Sequence, residues 1–395
     1  MPNEKSEIKK AYMAVFLLGL VSLFGDIVYE GSRGLIPEYL KYLGASAIIV
    51  GAIMGLGELI SYVSRLAGGI IADKTKSYWA LVFLGYGLII ALPFLPVSEF
   101  VGGWMLAAVF ILLERLGKGL RTPARDTIIS FASKAIGRGK AFGLHELLDQ
   151  IGAISGPLVL AAILAISNSY TWAFAALFVP YLILIIILFL VYRSLKVYGE
   201  PPPSERREGE KILGRKATLY IVAVTLNTIA LFPVALILYM ATNLAEAGIL
   251  GVWFIPVLYA GIQLVDAPLA LITGIIYDKL GLKTLFLPFV VTIFVAPLAL
   301  RGDFVSIILA AALFGLVLGT KESVYRAAIA DLSPPEVRAT AYGVLNTAIG
   351  VGALIAGVVY GYIIDIGGGP MEALTVSLLG GIASIIFLFY VVKEK

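Results

Sequence analysis

The sequence predicts an all-α membrane protein with twelve transmembrane helices, arranged as two pseudo-symmetric bundles of six. The first observation is composition: 60% of the residues are hydrophobic, 14% are charged and the mean hydropathy is +0.96. A soluble domain carries about 25% charged residues. The second is an alternation of basic and nearly basic-free loops. The third is a set of short segments that recur about two hundred residues apart.

Six apolar runs of membrane-spanning length fill the N-terminal half. Apolar residues continue from Ala11 well past the length of a signal-peptide core, without a small-residue cleavage site, so we expect the first span to be retained. Pro37 is expected to bend it. The six spans lie near 11–43, 47–72, 78–95, 101–120, 141–166 and 172–192.

Composition changes after the sixth span. Segment 193–216 contains three consecutive prolines at 201–203 and then a dense run of charges, which is typical of a solvated linker. We therefore predict an N-terminal six-helix bundle at 1–193, a cytosolic linker at 194–216 and a C-terminal six-helix bundle at 217–395. The second bundle holds spans near 217–243, 249–276, 284–300, 304–322, 340–364 and 372–392.

Basic residues are concentrated in the termini and in alternate loops. The N-terminus, the 2–3, 4–5, 8–9 and 10–11 loops, the central linker and the C-terminal tail are basic, whereas the opposite loops carry Lys41, Arg301 and little else. By the positive-inside rule, both termini are expected in the cytosol. The expected location is the cytoplasmic (plasma) membrane, crossed many times.

The two halves repeat each other. Segment Gly69–Lys74, which ends span 2, recurs as Gly274–Lys279 at the end of span 8. The pattern Arg-x-x-Ala-aromatic-Gly starts at Arg138 and again at Arg338. Two matches at nearly one offset indicate a duplicated six-span unit, an architecture known in transporters whose substrate site lies between the halves at mid-membrane.

These motifs resemble the major facilitator superfamily, and the resemblance covers essentially the whole chain. Gly69–Lys74 is similar to the family's loop 2–3 signature, Arg115–Gly119 to the span 4 motif of proton-coupled members, and Gly152–Pro157 to the span 5 motif of antiporters. Lys118 stands where that span 4 motif usually has glutamine. Segment Glu114–Asp126, with the His145 region after it, also looks like a prokaryotic branch of uncharacterised exporters, some implicated in nickel or drug resistance.

The resemblance implies the superfamily's fold and a gate at the cytosolic helix ends. In the family, aspartates at the positions of Asp73 and Asp278 tie the inward face shut through arginines and helix termini. Arg121 or Arg125 is the expected partner of Asp73. The remaining predicted gating residues are Gly69, Lys74 and Gly274.

Charged residues enter span 4 directly after an apolar run. Glu114, Arg115 and Lys118 follow Trp104–Leu113, and charge at that depth costs a few kcal/mol or more unless it is paired or wetted. Glu114 and Lys118 have the helical spacing at which opposite charges meet. The cluster is either self-neutralised near the cytosolic interface or forms a charged wall of a central cavity. We favour the cavity wall, because other spans carry matching charges.

Span 1 carries its own charged face. Asp26, Glu30 and Arg33 lie at i, i+4 and i+7 and therefore share one side of the helix. A buried carboxylate can take up and release protons near neutral pH. The alternative is an internally paired trio in which Arg33 neutralises Glu30. We expect Asp26, Glu30 and Glu114 to carry protons, with Arg115 tuning them.

Further polar residues are expected to line the cavity: Glu58 on span 2, Asp266 on span 8, and His145, Glu146 and Asp149 on span 5. His145 and Asp149, one turn apart, could relay a proton or bind a nickel-, cobalt- or manganese-type cation. A structural role is the alternative for this group. Gly152, Gly156 and Pro157 are expected to allow close helix packing and a bend.

The sequence thus predicts a secondary active transporter that works by alternating access. We expect proton-coupled export (antiport) of a small organic or cationic solute, driven by the proton gradient without a cofactor. Divalent-metal efflux is the alternative transport function, and a non-transporting receptor or sensor is the alternative from another class. Nothing resembles a P-loop or a catalytic triad, so we do not expect an enzyme. The expected partners are the lipid bilayer, protons and the solute; we expect a monomer and no nucleic-acid binding.

Overall fold

The computed structural model describes residues 4–132, 137–195, 213–334 and 337–393, and within these ranges all regular secondary structure is helical. The first half contains α1 Glu4–Tyr42, α2 Ala47–Thr75, α3 Tyr78–Gly87, α4 Gly103–Ala132, α5 Arg138–Ser167, α6 Tyr170–Ala175 and α7 Phe178–Leu195. The second half contains α8 Arg215–Ala230, α9 Val234–Glu246, α10 Phe254–Leu280, α11 Phe286–Arg301, α12 Phe304–Asp331, α13 Arg338–Asp365 and α14 Pro370–Lys393.

Nine stretches of the described residues are long and apolar enough to cross a membrane, and a shorter apolar helical stretch covers Tyr78–Ala91. Helix α4 is not among the nine, because its charged residues begin at Glu114, near its middle. One stretch, Phe254–Arg301, contains both α10 and α11. The all-α polytopic class is confirmed, and the count of twelve spans stays a prediction.

The chain forms two compact units. Unit 1 comprises Met1–Arg33 and Val63–Glu205, and unit 2 comprises Gly34–Tyr62 and Arg206–Lys395. The hairpin 34–62, which joins α1 to α2, therefore packs with helices from the second half of the sequence. The predicted bundle boundaries at 193 and 217 follow chain order and stay a prediction. Most of the predicted linker, 196–212, lies outside the described residues.

Helix α2 packs on α13 in unit 2 through glycines. The backbones of Gly51 and Gly357 lie so close that a Cβ on either would clash with the other. A Cβ on Gly55 would lie 2.6 Å from the Leu354 Cα, and one on Gly361 2.5 Å from the Ile48 Cα. Close backbone approach through small residues is how membrane helices associate without a hydrophobic driving force.

Polar contacts hold the same hairpin. The Asp365 carboxylate accepts hydrogen bonds from the backbone N–H of Ala47 at 2.8 Å and of Ile48 at 3.0 Å, and so satisfies two free donors at the start of α2. The Lys41 ammonium donates to Asn243 at 2.6 Å and to Glu246 at 2.7 Å. Both ends of the 34–62 hairpin's turn are thereby tied to other parts of unit 2.

We expect Asp365→Ala to lower the free energy of unfolding by about 1 kcal/mol, the usual cost of losing a helix cap. Asp365→Asn keeps one acceptor oxygen and should cost less. Thermal unfolding of the purified protein measures both variants. Equal stability of wild type and Asp365→Ala would show that water replaces the cap without loss.

The predicted seventh span, 217–243, is broken in the structure. Helix α8 ends at Ala230, Leu231 has an extended backbone, and α9 begins after Pro233. Proline has no N–H and disfavours helix before it, which explains the break. The Tyr360 hydroxyl donates to the freed Ala230 carbonyl at 2.6 Å, so the broken backbone keeps its hydrogen bond.

In unit 1, α5 packs closely on α1. A Cβ on Gly152 would lie 2.5 Å from the Leu23 carbonyl oxygen, and one on Gly156 would lie 2.6 Å from that of Ile27. Pro157 lies inside α5 beside this contact. The two glycines therefore bring the polar residues of α5 next to those of α1.

Candidate transport site

Three helices of unit 1 carry polar residues at helical spacing: α1, α4 and α5. Residues three or four positions apart share a helix face, so each helix presents a polar stripe. The stripes comprise Ser22, Asp26, Glu30 and Arg33 on α1, Glu114, Lys118, Arg121 and Arg125 on α4, and His145 and Asp149 on α5. Their side chains form three clusters.

The first cluster, the Glu30 cluster, joins α1 to α4. Arg33 lies 3.5 Å and Lys118 3.9 Å from the Glu30 carboxylate. The Lys118 ammonium donates a hydrogen bond to the Tyr29 hydroxyl at 2.8 Å and lies 4.1 Å from the Tyr29 ring centre. The sequence spacing predicted that Lys118 pairs with Glu114 on its own helix. In the structure the Lys118 side chain extends to α1 instead, where it contacts Tyr29 and Glu30.

The second cluster, the Glu114 cluster, is more deeply buried. Glu114 lies 3.5 Å from Arg115 and 4.0 Å from Arg121, and all three side chains are at most 4% exposed. Arg121 stacks on the Tyr86 ring at 4.9 Å and approaches the Gly85 carbonyl oxygen at 3.4 Å. The Tyr86 ring and the Gly85 carbonyl oxygen thus compensate for the desolvation of the Arg121 guanidinium.

The third cluster, the Ser22 cluster, links all three helices. The Arg125 guanidinium donates to the Ser22 hydroxyl at 2.8 Å and pairs with Asp126 at 3.0 Å. The Nε2 atom of His145 lies 3.4 Å from the same Ser22 hydroxyl, and its Nδ1 atom lies 3.7 Å from Asp149. Arg125 and His145 thus share one serine.

Asp26 lies between the Ser22 and Glu30 clusters, one helical turn from each. The residue is 8% exposed, and its Cβ carbon faces Gly152 of α5. Its electrostatic neighbours are two acids, Asp149 and Glu30, and two bases, Lys118 and Arg125. A change of charge on Asp26 therefore acts on both flanking clusters.

The other predicted cavity residues lie elsewhere. Glu58 and Asp266 belong to unit 2, where Asp266 is 1% exposed and its carboxylate faces Gly319 of α12. Glu146 is exposed on α5 and accepts a hydrogen bond from Gln150 at 3.4 Å. The structure therefore brings Asp26, Glu30, Arg33, Glu114, Arg115, His145 and Asp149 together in unit 1, whereas Glu58 and Asp266 belong to unit 2 and Glu146 is exposed on α5.

The predicted gating arginines have other partners. Arg121 pairs with Glu114, and Arg125 with Asp126 and Ser22, whereas Asp73 has Tyr78 as an electrostatic neighbour. Within the described ranges, no ion pair joins Asp73 to either arginine. Both arginines extend into the unit instead of toward the end of α2. Gly274 has open space around it and Gly69 has only an ordinary contact with Pro123; Lys74 and Asp278 lie at the ends of α2 and α10.

The metal hypothesis rests on His145 and Asp149 alone. Among the residues that the structure describes, no three His, Cys, Asp or Glu side chains come together as a potential metal site. The positively charged Arg125 lies beside the pair and holds Ser22. Two protein ligands with a neighbouring guanidinium are a poor donor set for a divalent cation.

Sequence reasoning missed three aromatic or hydroxyl groups of the site, Ser22, Tyr29 and Tyr86. Ser22 lies four residues before Asp26, so helical spacing places it on the same face of α1. Tyr29 precedes Glu30 directly. Tyr86 approaches from α3 and has no signal in the sequence.

Comparison with known proteins places the whole chain among transporters. The family model described as the Major Facilitator Superfamily matches residues 15–300 and 217–395. An uncharacterized protein of Mycobacterium tuberculosis is 31% identical over 93% of this chain and 90% of its own length. An uncharacterized MFS-type transporter of Methanocaldococcus jannaschii is 30% identical over 95% of this chain and 94% of its own length.

Other similarities are partial or structural. The class D tetracycline resistance protein of Salmonella ordonez is 29% identical over 40% of this chain and 38% of its own length. The crystal structure of the nucleoside transporter NupG superposes with a TM-score of 0.71 at 15% identity and covers 97% of this chain and 100% of that one. At that identity the likeness supports the fold alone.

Proposed function

Because this chain belongs to the major facilitator superfamily, we propose that it exports a small organic solute in exchange for protons. The family and the fold make it a membrane transporter. The finer assignment, proton-coupled antiport, rests on the carboxylates of unit 1. The tetracycline resistance protein, to which part of the chain is similar, is named for resistance to a small organic compound, which export would confer.

The observation that carries the proposal is the position of Asp26. It is a nearly buried carboxylate in a membrane helix, with two further acids and two bases as its electrostatic neighbours. Charge in that environment is costly unless it is balanced, so the loading and release of a proton must reorganise the flanking ion pairs. Glu30 and Glu114 each form ion pairs with two basic side chains. A change of charge on Asp26 would alter these ion pairs.

The hairpin 34–62 supports alternating access. With both termini in the cytosol, as we propose from the loop charges, the turn between α1 and α2 faces outward. The glycine contacts with α13, the Asp365 cap and the Lys41 ion pair would then close the outer side of unit 2. A packed interface of this kind has discrete arrangements, which is what a gate requires.

Reconstituted liposomes test the exchange. An acidic lumen stands in for the acidic exterior, and we expect the wild type to accumulate a probe such as tetracycline while the lumen loses protons. Nigericin, which collapses the gradient, should abolish the accumulation. Probe uptake that continues unchanged after nigericin would overturn proton coupling, although it would leave the transporter assignment intact.

We propose the cytoplasmic membrane as the location, a monomer as the working form and the proton gradient as the energy source. Asp73, Asp278 and their flanking residues are proposed to act at the cytosolic rim, where Tyr78 is an electrostatic neighbour of Asp73. Divalent-metal efflux is not favoured, because the donor set around His145 is small and faces Arg125.

A further inference from the structure

Lys118 offers hydrogen-bond donors that its protein partners do not use. An ammonium carries three donors, and within the described part of the chain Lys118 makes one hydrogen bond, to the neutral Tyr29 hydroxyl. Its nearest carboxylate oxygen is 3.9 Å away, outside hydrogen-bonding distance. A lysine that only neutralised Glu30 would be expected to form a short charge-assisted bond with it.

In the Glu30 cluster, the two basic side chains are more exposed to solvent than the acidic one. The Arg33 and Lys118 side chains are 19% and 20% exposed, whereas the Glu30 side chain is 6% exposed. The Glu114 cluster has the same ratio of two bases to one acid, but it is at most 4% exposed throughout. Of these two clusters, therefore, the Glu30 cluster presents basic groups to an approaching ligand.

Charge is also segregated along the stripes. Five bases and five acids balance if all are ionised: Arg33, Arg115, Lys118, Arg121 and Arg125 against Asp26, Glu30, Glu114, Asp126 and Asp149. Two of the acids, Asp126 and Asp149, lie in the Ser22 cluster with one base, Arg125. The electrostatic neighbours of Lys118 include two bases, Arg33 and Arg115, and two acids, Glu30 and Glu114. Within the Glu30 cluster itself, two bases, Arg33 and Lys118, surround one acid.

We propose that Lys118 binds an anionic group of the transported solute, a carboxylate or a phosphate-type oxyanion, with Arg33 beside it. The inference rests on the proposed function and narrows it, because it replaces the expected small organic or cationic solute by a small organic anion. Glu30 then holds the two bases in place when no solute is bound. Tyr29 fixes the ammonium through its hydroxyl and ring.

The test is binding, measured by calorimetry and thermal shift on the purified protein without any proton gradient. The probes share one aromatic body and differ in charge: benzoate, phenylphosphate, benzyl alcohol and benzylamine. We expect the wild type to bind at least one of the two anions and neither of the other two probes. The preferred anion distinguishes a carboxylate from a phosphate-type group.

Variants assign the binding to Lys118. Lys118→Gln should weaken anion binding about tenfold or more, as expected for the loss of a charge-assisted contact, whereas Lys118→Arg should retain part of it. Tyr29→Phe keeps the ring and removes only the hydroxyl that orients the ammonium, so it should weaken anion binding less than Lys118→Gln does. Lys393→Gln is the control, since Lys393 also lies over an aromatic ring, that of Phe389, belongs to unit 2 and has no part in the proposed site or gate.

Three results would overturn the inference. The wild type could bind benzylamine more tightly than both anions, or it could bind no anion at concentrations up to about 10 mM. The third is that Lys118→Gln binds the anion with the same affinity as the wild type. If Lys118→Gln does not fold, Lys118→Arg and Tyr29→Phe carry the test, and a complete loss of binding in Tyr29→Phe counts against the inference. None of these outcomes depends on a pH gradient. Failure of proton coupling in liposomes is therefore a separate result.

Discussion

Asp26→Asn is expected to abolish accumulation of solute driven by a pH gradient, while exchange of solute down its own gradient persists. Asparagine keeps the size of the side chain but cannot take up or release a proton. The charge at position 26 then stays constant, so proton movement no longer reorganises the flanking ion pairs. The measurement is uptake into liposomes with an acidic lumen, using a probe that the wild type accumulates. Counterflow at equal pH measures the uncoupled exchange.

Glu146→Gln is the matched control for Asp26→Asn. Glu146 also belongs to a helix of unit 1 but is exposed and bonded to Gln150, so the substitution should leave driven uptake unchanged. Asp26→Glu should retain partial activity. Full gradient-driven uptake by Asp26→Asn would remove Asp26 from the coupling mechanism and leave Glu30 and Glu114 as candidates.

Gly51→Val is expected to separate α2 from α13. The Gly51 and Gly357 backbones touch, and backbone atoms cannot move aside as a side chain can, so the helices must part. Overpacking costs about 1–3 kcal/mol, and each 1.4 kcal/mol shifts a two-state population about tenfold. The transporter should accumulate in a state with the 34–62 hairpin released, and turnover should fall.

The distance between spin labels at Ser46→Cys and Ile366→Cys reports this separation, and the chain contains no cysteine that would interfere. Ser46 precedes α2 and Ile366 follows α13, so their distance should lengthen in Gly51→Val. The control is Gly261→Val on α10, where a Cβ would meet nothing within 4 Å. An unchanged distance in Gly51→Val, with normal turnover, would contradict a gating role for the hairpin.

Composition was sufficient for the class of protein, and spacing was sufficient to predict which residues share a face within one helix. Apolar runs, basic loops and the recurrence of Gly69–Lys74 predicted an all-α membrane transporter, and the family match confirms that class. Helical spacing also placed Asp26, Glu30 and Arg33 on one face, because periodicity within a helix is fixed by backbone geometry.

Contacts between helices were decided by tertiary structure. Spacing paired Glu114 with Lys118, yet Glu114 pairs with Arg115 and Arg121, and Lys118 reaches Tyr29 and Glu30 of α1. A long side chain can satisfy its charge on its own helix or on a neighbour, and only the packing of the helices selects between them. The same reason applies to Tyr86, Asp365 and the glycines of α2 and α13, whose partners lie far away in the sequence.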